Sequence, residues 1–509
     1  MTIAPAAHRH LSAAATARLL GAWHAGGPAY TALSDALRAA VLSGTIAPLT
    51  RLPSERELAP VLGVSRTTTA AAYRRLRDLG LASSRVGSGT VTLRPGFADA
   101  PVGGDVAVSD AAGTLGDPLA PNRGAGPGVP SGVVPPILLN QATAPAVPEV
   151  GPAFERALAS LPEHLAHGGY APYGLAPLRE AVAAAYRERG VPTAPDQILV
   201  TTGAQNAISL VVRTVLKRTE TAVVQSPTYF HALDTLREAG ARMVGVPAGY
   251  DGLDVELLES TVRRTEARLV FLIPDHHNPT GTSLSPAERV AVREIAERTG
   301  VIVLADETLT DLALSGPPEA NPPFDGDGSS PRLITVGSTS KAFWGGLRIG
   351  WIRAHPDVVA RLVRTRQSTD IATAVMEQLV AADLITHRDK ILPARRVWIR
   401  ERRNQMVAAL RAALPWDVPM PGGGQFVWAG LGGPVAHAFA AAAAAEGVMV
   451  NAGPALTPDG SSRDRVRLTF PHTPDVLEEA IPLLVRAWDR IGPTADSGSA
   501  GSRRPFRAE

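Results

Sequence analysis

The chain has 509 residues, 45% of them apolar, with no cysteine and a net charge of only +2, so a sizeable core is available while disulfides and thiolate metal sites are excluded. No apolar run approaches the roughly 20 residues of a membrane span, and Met1–Leu20 carries histidines and an arginine where a signal peptide needs a long apolar stretch, which points to a cytoplasmic protein. Charge is unevenly placed: residues 1–94 hold eleven arginines and no lysine against four acidic residues, a basic head that anticipates an anionic partner.

In the head, Leu33, Ala36, Leu37, Ala40 and Val41 recur at helical spacing and mark the apolar face of a first helix. Ser54 followed by Glu57 is a capping-box pair opening a second helix that runs through Leu58 and Leu62 to Gly63. Ser65 can cap a third, with Tyr73, Leu76 and Leu79 inward and Gly80 at its end. Leu81–Leu93 then reads as two short strands about a glycine turn at Gly87 and Ser88. Three helices with a tight second turn, followed by a wing, make a winged helix-turn-helix. That arrangement puts Arg66 and Thr67 at the start of the third helix, where side chains meet base edges and backbone N–H groups meet phosphate, with Arg56 and the wing tip alongside.

Tyr30–Leu93, with Arg51-Leu-Pro-Ser-Glu-Arg-Glu-Leu58 and the Gly87-Ser-Gly-Thr90 wing, resembles the winged helix of the GntR family of bacterial repressors. The resemblance implies DNA contacts at Arg56, Ser65, Arg66, Thr67 and Gly87. Two positions depart from it: Ala70 replaces an arginine that some members carry on the recognition helix, and Leu49 stands where a glycine is usual.

Between Pro95 and about Pro136, Gly, Pro, Ala and Ser dominate and no apolar period survives, which reads as a flexible linker. The segment after about Pro493 reads as a disordered tail. The chain thus divides into a head over 1–95, a linker over 96–135, a large body over 136–492 and a tail over 493–509.

In the body, strand patterns alternate with helical ones. Gln197–Thr202 runs into Gly203 and Ala204 at the start of an apolar helix, whose N–H groups and positive dipole end suit a phosphate. Val223–Ser226 leads to Tyr229, an aromatic able to stack on a flat ring. Leu269–Ile273 closes at Asn278, and the adjacent His276 and His277 would point to opposite sides of an extended chain, which argues against a metal pair. Val301–Asp306 ends in a carboxylate. Lys341, one of only three lysines, follows Ser338 and Ser340 and precedes Arg348, a pattern able to take an aldehyde and a phosphate together. Such alternation implies an α/β fold whose mostly parallel sheet binds its ligand at the carboxyl edge.

This ordered set is similar to the fold-type I aminotransferases that use pyridoxal 5′-phosphate (PLP), over about Pro136 to Gly492. The likeness implies helices on both sheet faces and a smaller C-terminal α/β subdomain. It makes Lys341 the catalytic lysine of the internal aldimine, Asp306 the partner of the pyridine nitrogen, Asn278 the donor to the ring hydroxyl and Tyr229 the stacking face. Gly203, Ala204, Ser338, Ser340 and Arg348 would hold the phosphate, joined by Tyr170 from a second subunit. Arg467 would grip an effector carboxylate beside Asn278, while Arg465 stays at the surface. Thr308 and Leu309 occupy places where family members carry a tyrosine that shares the ring hydroxyl, which puts efficient transamination in doubt.

Head, linker and body together resemble the MocR-type bacterial regulators. The resemblance implies a cytoplasmic, homodimeric, PLP-dependent transcription factor that binds promoter DNA and senses a small amino compound or PLP itself. A working aminotransferase with a vestigial or accessory head is the alternative, and a vitamin B6 sensor without an amino-acid effector is a third reading.

Overall fold

The computed structural model describes residues 9–20, 23, 29–42, 46, 50–78, 81–85, 89–92, 135–250, 252–316, 323–324 and 329–492. Leu49, Leu79, Gly80, Gly87, almost all of the linker and the tail lie outside them. The chain divides into a small N-terminal unit and a large one.

The small unit holds β1 (Arg9–His10), α1 (Ala13–Leu20), α2 (Ala29–Leu42), β2 (Thr50–Arg51), α3 (Glu55–Leu62), α4 (Arg66–Asp78), β3 (Ala82–Arg85) and β4 (Gly89–Thr92). The capping box forms as the sequence dictates: Glu57 N–H donates to Ser54 Oγ at 3.3 Å, and Ser54 N–H donates to the Glu57 carboxylate at 2.8 Å. Gly63, at φ +67°, makes the left-handed turn that releases the chain into α4. Leu33, Leu37, Leu58, Tyr73 and Leu76 form the core. Burial pushes the Tyr73 hydroxyl well above its ordinary pKa, and it donates to the Pro53 carbonyl at 2.8 Å. Two elements were not legible beforehand: β1 adds a strand parallel to β2, and α1 packs on α2 and α3. Their sequence, an eight-residue helix half of which is alanine after a two-residue strand, carries too little apolar periodicity to announce them.

The large unit begins with β5 (Ile137–Leu138) and is built on an eight-stranded sheet: β6 (Ile198–Thr201), β7 (Thr221–Ser226), β8 (Arg242–Gly249), β9 (Gly252–Leu253), β10 (Leu269–Leu272), β11 (Ile302–Asp306), β12 (Leu333–Ser338) and β13 (Gly350–Arg353), ordered β6-β13-β12-β11-β10-β7-β8-β9. The pairs from β12 through β8 are parallel, whereas β13 runs antiparallel to β12 and β6. The inner strands are largely apolar, apart from their polar ends, because both faces are covered. Val224 and Phe271 pack against helices Ala204–Val215, Phe230–Glu238 and Pro356–Arg366, while their neighbours Val223 and Val270 pack against Val255–Thr265 and Pro286–Thr299 on the other side. Strand β14 (Phe426–Gly430), β15 (Val448–Met449), β16 (Asn451–Ala452) and β17 (Arg465–Thr469) follow. Three of these form an antiparallel sheet ordered β14-β17-β16, β15 pairs with β5, and helices Arg388–Ala413, Ala436–Ala445 and Pro474–Ile491 complete a smaller α/β layer around Trp416, Phe439 and Trp488. Among the described residues no helix is long and apolar enough to cross a membrane.

Candidate functional site

Five strands of the large sheet deliver polar groups to its carboxyl edge: β6 leads to Gly203, β7 to Tyr229, β10 to Asn278, β11 ends at Asp306, and β12 leads through Ser338 to Lys341. Parallel strands end side by side, so residues far apart in sequence meet there.

Lys341 lies in the one-turn helix Thr339–Ala342, capped by Ser338. Its Nζ donates to the Ala142 carbonyl at 2.8 Å. Enclosure by protein, reinforced by the nearby cations Arg467 and Arg348, pushes the amine down to about 8 against the opposing pull of Asp306. Asp306 is itself buried, and loss of water raises its carboxyl above the ordinary range. Thr308 N–H donates to Asp306 Oδ1 at 2.9 Å. That donor is the backbone amide of Thr308, which any residue but proline would supply there, and Leu309 is buried in the apolar core.

Close backbone approaches shape the site near Gly203. Gly203, at φ +88°, opens helix Ala204–Val215, and a Cβ there would sit 2.7 Å from Arg348 Nη2. Gly350 passes so close that its Cβ would lie 2.5 Å from the Gly203 carbonyl carbon. Arg348 holds a left-handed conformation, φ +53°, with an exposed side chain. Ser338 Oγ accepts from Ser340 N–H at 3.1 Å and lies 2.9 Å from Ser340 Oγ, so both hydroxyls face one place.

Arg467, on β17, is the most constrained member. Its guanidinium donates to Asn278 Oδ1 (3.0 Å), the Asn140 carbonyl (2.7 Å) and Asn451 Oδ1 (2.6 Å), and lies over the rings of Phe426 and Phe230. All these partners are neutral, and burial drives the arginine down to about 9. Tyr229 is half-buried beside Phe230, and enclosure together with nearby Asp306 raises its hydroxyl far above the usual value. Arg465 goes elsewhere, to the exposed carboxylate of Asp417.

Tyr170 stands apart: it is 77% exposed and shares no hydrogen bond with these groups. The neighbouring histidines also diverge, His277 Nδ1 to Thr280 and His276 Nδ1 to Ser283. Among the described residues no three metal-ligating side chains cluster. Sequence reasoning missed Asn140, Ala142 and Asn451, the acceptors of Arg467 and Lys341. A lone asparagine ending each of the apolar runs Ile137–Leu139 and Val448–Val450 was the available signal for two of them.

In the small unit, Arg56 on α3 and Ser65, Arg66 and Thr67 at the start of α4 are all exposed on the described surface, whereas Ala70 is half-buried. Ser65 Oγ accepts from Thr68 N–H at 3.0 Å and lies 2.7 Å from Thr67 Oγ1, which fixes the first turn of α4.

The model of the class I and II aminotransferases matches residues 140–484, and that of the gntR family of bacterial regulatory proteins matches residues 29–91. The probable rhizopine catabolism regulatory protein MocR of Rhizobium meliloti is 30% identical over 76% of this chain and 78% of that protein. The HTH-type transcriptional regulator YisV of Bacillus subtilis is 27% identical over 87% of this chain and 92% of its own. A kynurenine aminotransferase from Pyrococcus horikoshii superposes on 70% of this chain and 92% of its own, with a TM-score of 0.64 and 26% identity.

Proposed function

The chain belongs to the class I and II aminotransferase family and, through its GntR-type head, to the MocR-type regulators, and on that premise we propose that it is a cytoplasmic homodimer in which occupancy of the Lys341 site controls binding to promoter DNA. Its function is DNA-binding transcriptional regulation dependent on PLP.

The residues present fit that cofactor on the geometry of the site. One amine is kept largely deprotonatable near neutral pH, at Lys341. One carboxylate, Asp306, is buried with Thr308 as its hydrogen-bond donor, and a protonated ring nitrogen would relieve the cost of burying it. A glycine-lined helix start, two hydroxyls and Arg348 converge where a dianion would sit. When bound, PLP supplies an electrophilic carbonyl and an electron-withdrawing ring. Lys341 would anchor the carbonyl, Asp306 would hold a proton at the ring nitrogen, Asn278 would orient the ring oxygen with its amide, and Tyr229 would cover a ring face. Gly203, Ala204, Ser338, Ser340 and Arg348 would hold the phosphate, with the exposed Tyr170 available to a second subunit.

The observation that carries the effector reading is Arg467: a buried guanidinium whose three side-chain and carbonyl partners are all neutral. A carboxylate of a small amino compound would supply the missing charge by a bidentate contact. Asn278, already held by Arg467, sits between that carboxylate and the cofactor. On the head, Arg66 and Arg56 supply phosphate and base contacts, with Ser65 and Thr67 at the helix start. An effector that binds two body conformations unequally shifts their populations, and the linkers pass the shift to the heads.

The complete lysine, aspartate and arginine set also supports a working aminotransferase. Thr308 and Leu309, in the places where the resemblance puts a tyrosine that shares the ring hydroxyl, leave Asn278 without a phenol beside it and favour the regulator. Mixing the PLP-loaded protein with amino acids and 2-oxo acids separates the two: the regulator gives at most slow, few-turnover conversion, while rapid multiple turnover would move the assignment to enzyme.

A further inference from the structure

We infer that Arg366 and Asp370 are positioning residues for the phosphate end of the Lys341 site, acting through Thr202 and through the loop that carries Tyr170. The inference rests on the PLP reading above. Arg366 closes helix Pro356–Arg366, and its side chain is 1% exposed. Nε donates to Asp370 Oδ1 at 2.7 Å, Nη1 to the carbonyls of Val200 (2.6 Å) and Pro172 (2.9 Å), and Nη2 to Thr373 Oγ1 at 2.7 Å. A buried guanidinium so fully used fixes whatever it touches, because releasing any partner leaves charge or a polar group unpaired away from water.

Those partners lead to one place. Val200 is in β6, three residues before Gly203, and its N–H donates to the Tyr173 carbonyl at 3.0 Å. Pro172 lies two residues beyond Tyr170, in a loop pressed so tightly on β6 that a Cβ on Gly174 would meet Val200 at 2.2 Å. Asp370 extends the chain of contacts: its Oδ2 accepts from Thr202 Oγ1 at 3.2 Å. Thr202 joins β6 to Gly203, and its carbonyl faces Arg348 Nη2 at 3.4 Å. One ion pair thus ties together the helix start, the arginine of the cradle and the Tyr170 loop.

Backbone conformation beside the pair points the same way. Ile371 is half-exposed yet holds φ +63°, a left-handed conformation that a β-branched residue adopts only when its surroundings impose it. The strain sits next to Asp370, where the Arg366 contacts over-determine the chain.

The test compares PLP with pyridoxal, which lacks the phosphate, by absorbance titration of the full chain carrying Thr202→Val or Asp370→Asn. Thr202→Val removes a single exposed hydroxyl and keeps the experiment decisive even if Asp370→Asn folds poorly. Expected is a loss of about tenfold in PLP affinity with pyridoxal affinity unchanged, so that the preference for the phosphorylated ligand falls by the same factor. Retention of the wild-type preference in Thr202→Val, or equal loss for both ligands, overturns the inference while leaving the PLP reading intact. If the wild-type protein itself shows no preference for PLP over pyridoxal, the cradle reading and this inference fall together.

Discussion

The sheet edge of the large unit and the first turn of α4 both present arginines, yet burial separates their meaning. Arg467 is 2% exposed and hydrogen-bonded to neutral groups, whereas Arg66 and Arg56 lie in solvent. A buried cation that meets no carboxylate is costly, and beside Lys341 that cost is the ground on which we propose a ligand carboxylate. An exposed arginine costs little and marks nothing by itself; it gains meaning from its place at a helix N-terminus in a winged fold. The first site is readable from energetics, the second only from geometry.

Substitutions can break this contrast, and the largest effect belongs to the sheet edge. Lys341→Ala abolishes the visible absorbance acquired on adding PLP, while Lys217→Ala, an exposed lysine, leaves it unchanged; persistence of the band in Lys341→Ala would contradict the assignment. Next in size, Arg467→Lys lowers affinity for amino acids about a hundredfold in calorimetric titrations of the PLP-loaded protein, yet spares amines that lack a carboxylate, because a point charge cannot reproduce the planar bidentate grip.

At the head, Arg66→Ala reduces affinity for the protein's own promoter about tenfold at moderate salt and lowers the salt slope by about one, measured by fluorescence anisotropy across a salt series. The same variant binds PLP as the wild type does, which keeps the two regions separable.

The smallest effect is a pH dependence. Burial lowers Lys341 from its usual value to about 8, so the amine is charged below that pH and neutral above it. Its neutral fraction, and with it the stopped-flow rate of PLP capture, rises about fivefold from pH 7 to 8 and levels off above it. A rate climbing about tenfold per pH unit up to pH 10 would show an unperturbed lysine instead.

Much of this molecule was legible from sequence because its signals are local. The capping box at Ser54 and Glu57, the left-handed Gly63, and the strand ends at Gly203, Asp306 and Lys341 each depend on a few adjacent residues. What escaped is non-local or weakly periodic. Arg366 reaches Val200 across 166 positions, and the pairing of Arg467 with Asn140 spans 327, so no window of sequence contains both partners. Strand β13, Gly-Trp-Ile-Arg over Gly350–Arg353, lacks the apolar run of its neighbours, and only its pairing reveals both the strand and its reversed direction. Thr308 shows the limit in a single residue. Its presence in place of a tyrosine was visible, but the contact of its backbone N–H with Asp306 was not.

The central claim is a coupling between the two regions, and reciprocity tests it most directly. Affinity of the PLP-loaded full chain for its promoter DNA, measured with and without a candidate amino compound, should change by at least about fivefold, and DNA should change affinity for that compound by the same factor. The account predicts equal factors that vanish together in Arg467→Lys. DNA affinity indifferent to PLP and to every amino compound that binds the Lys341 site would contradict it.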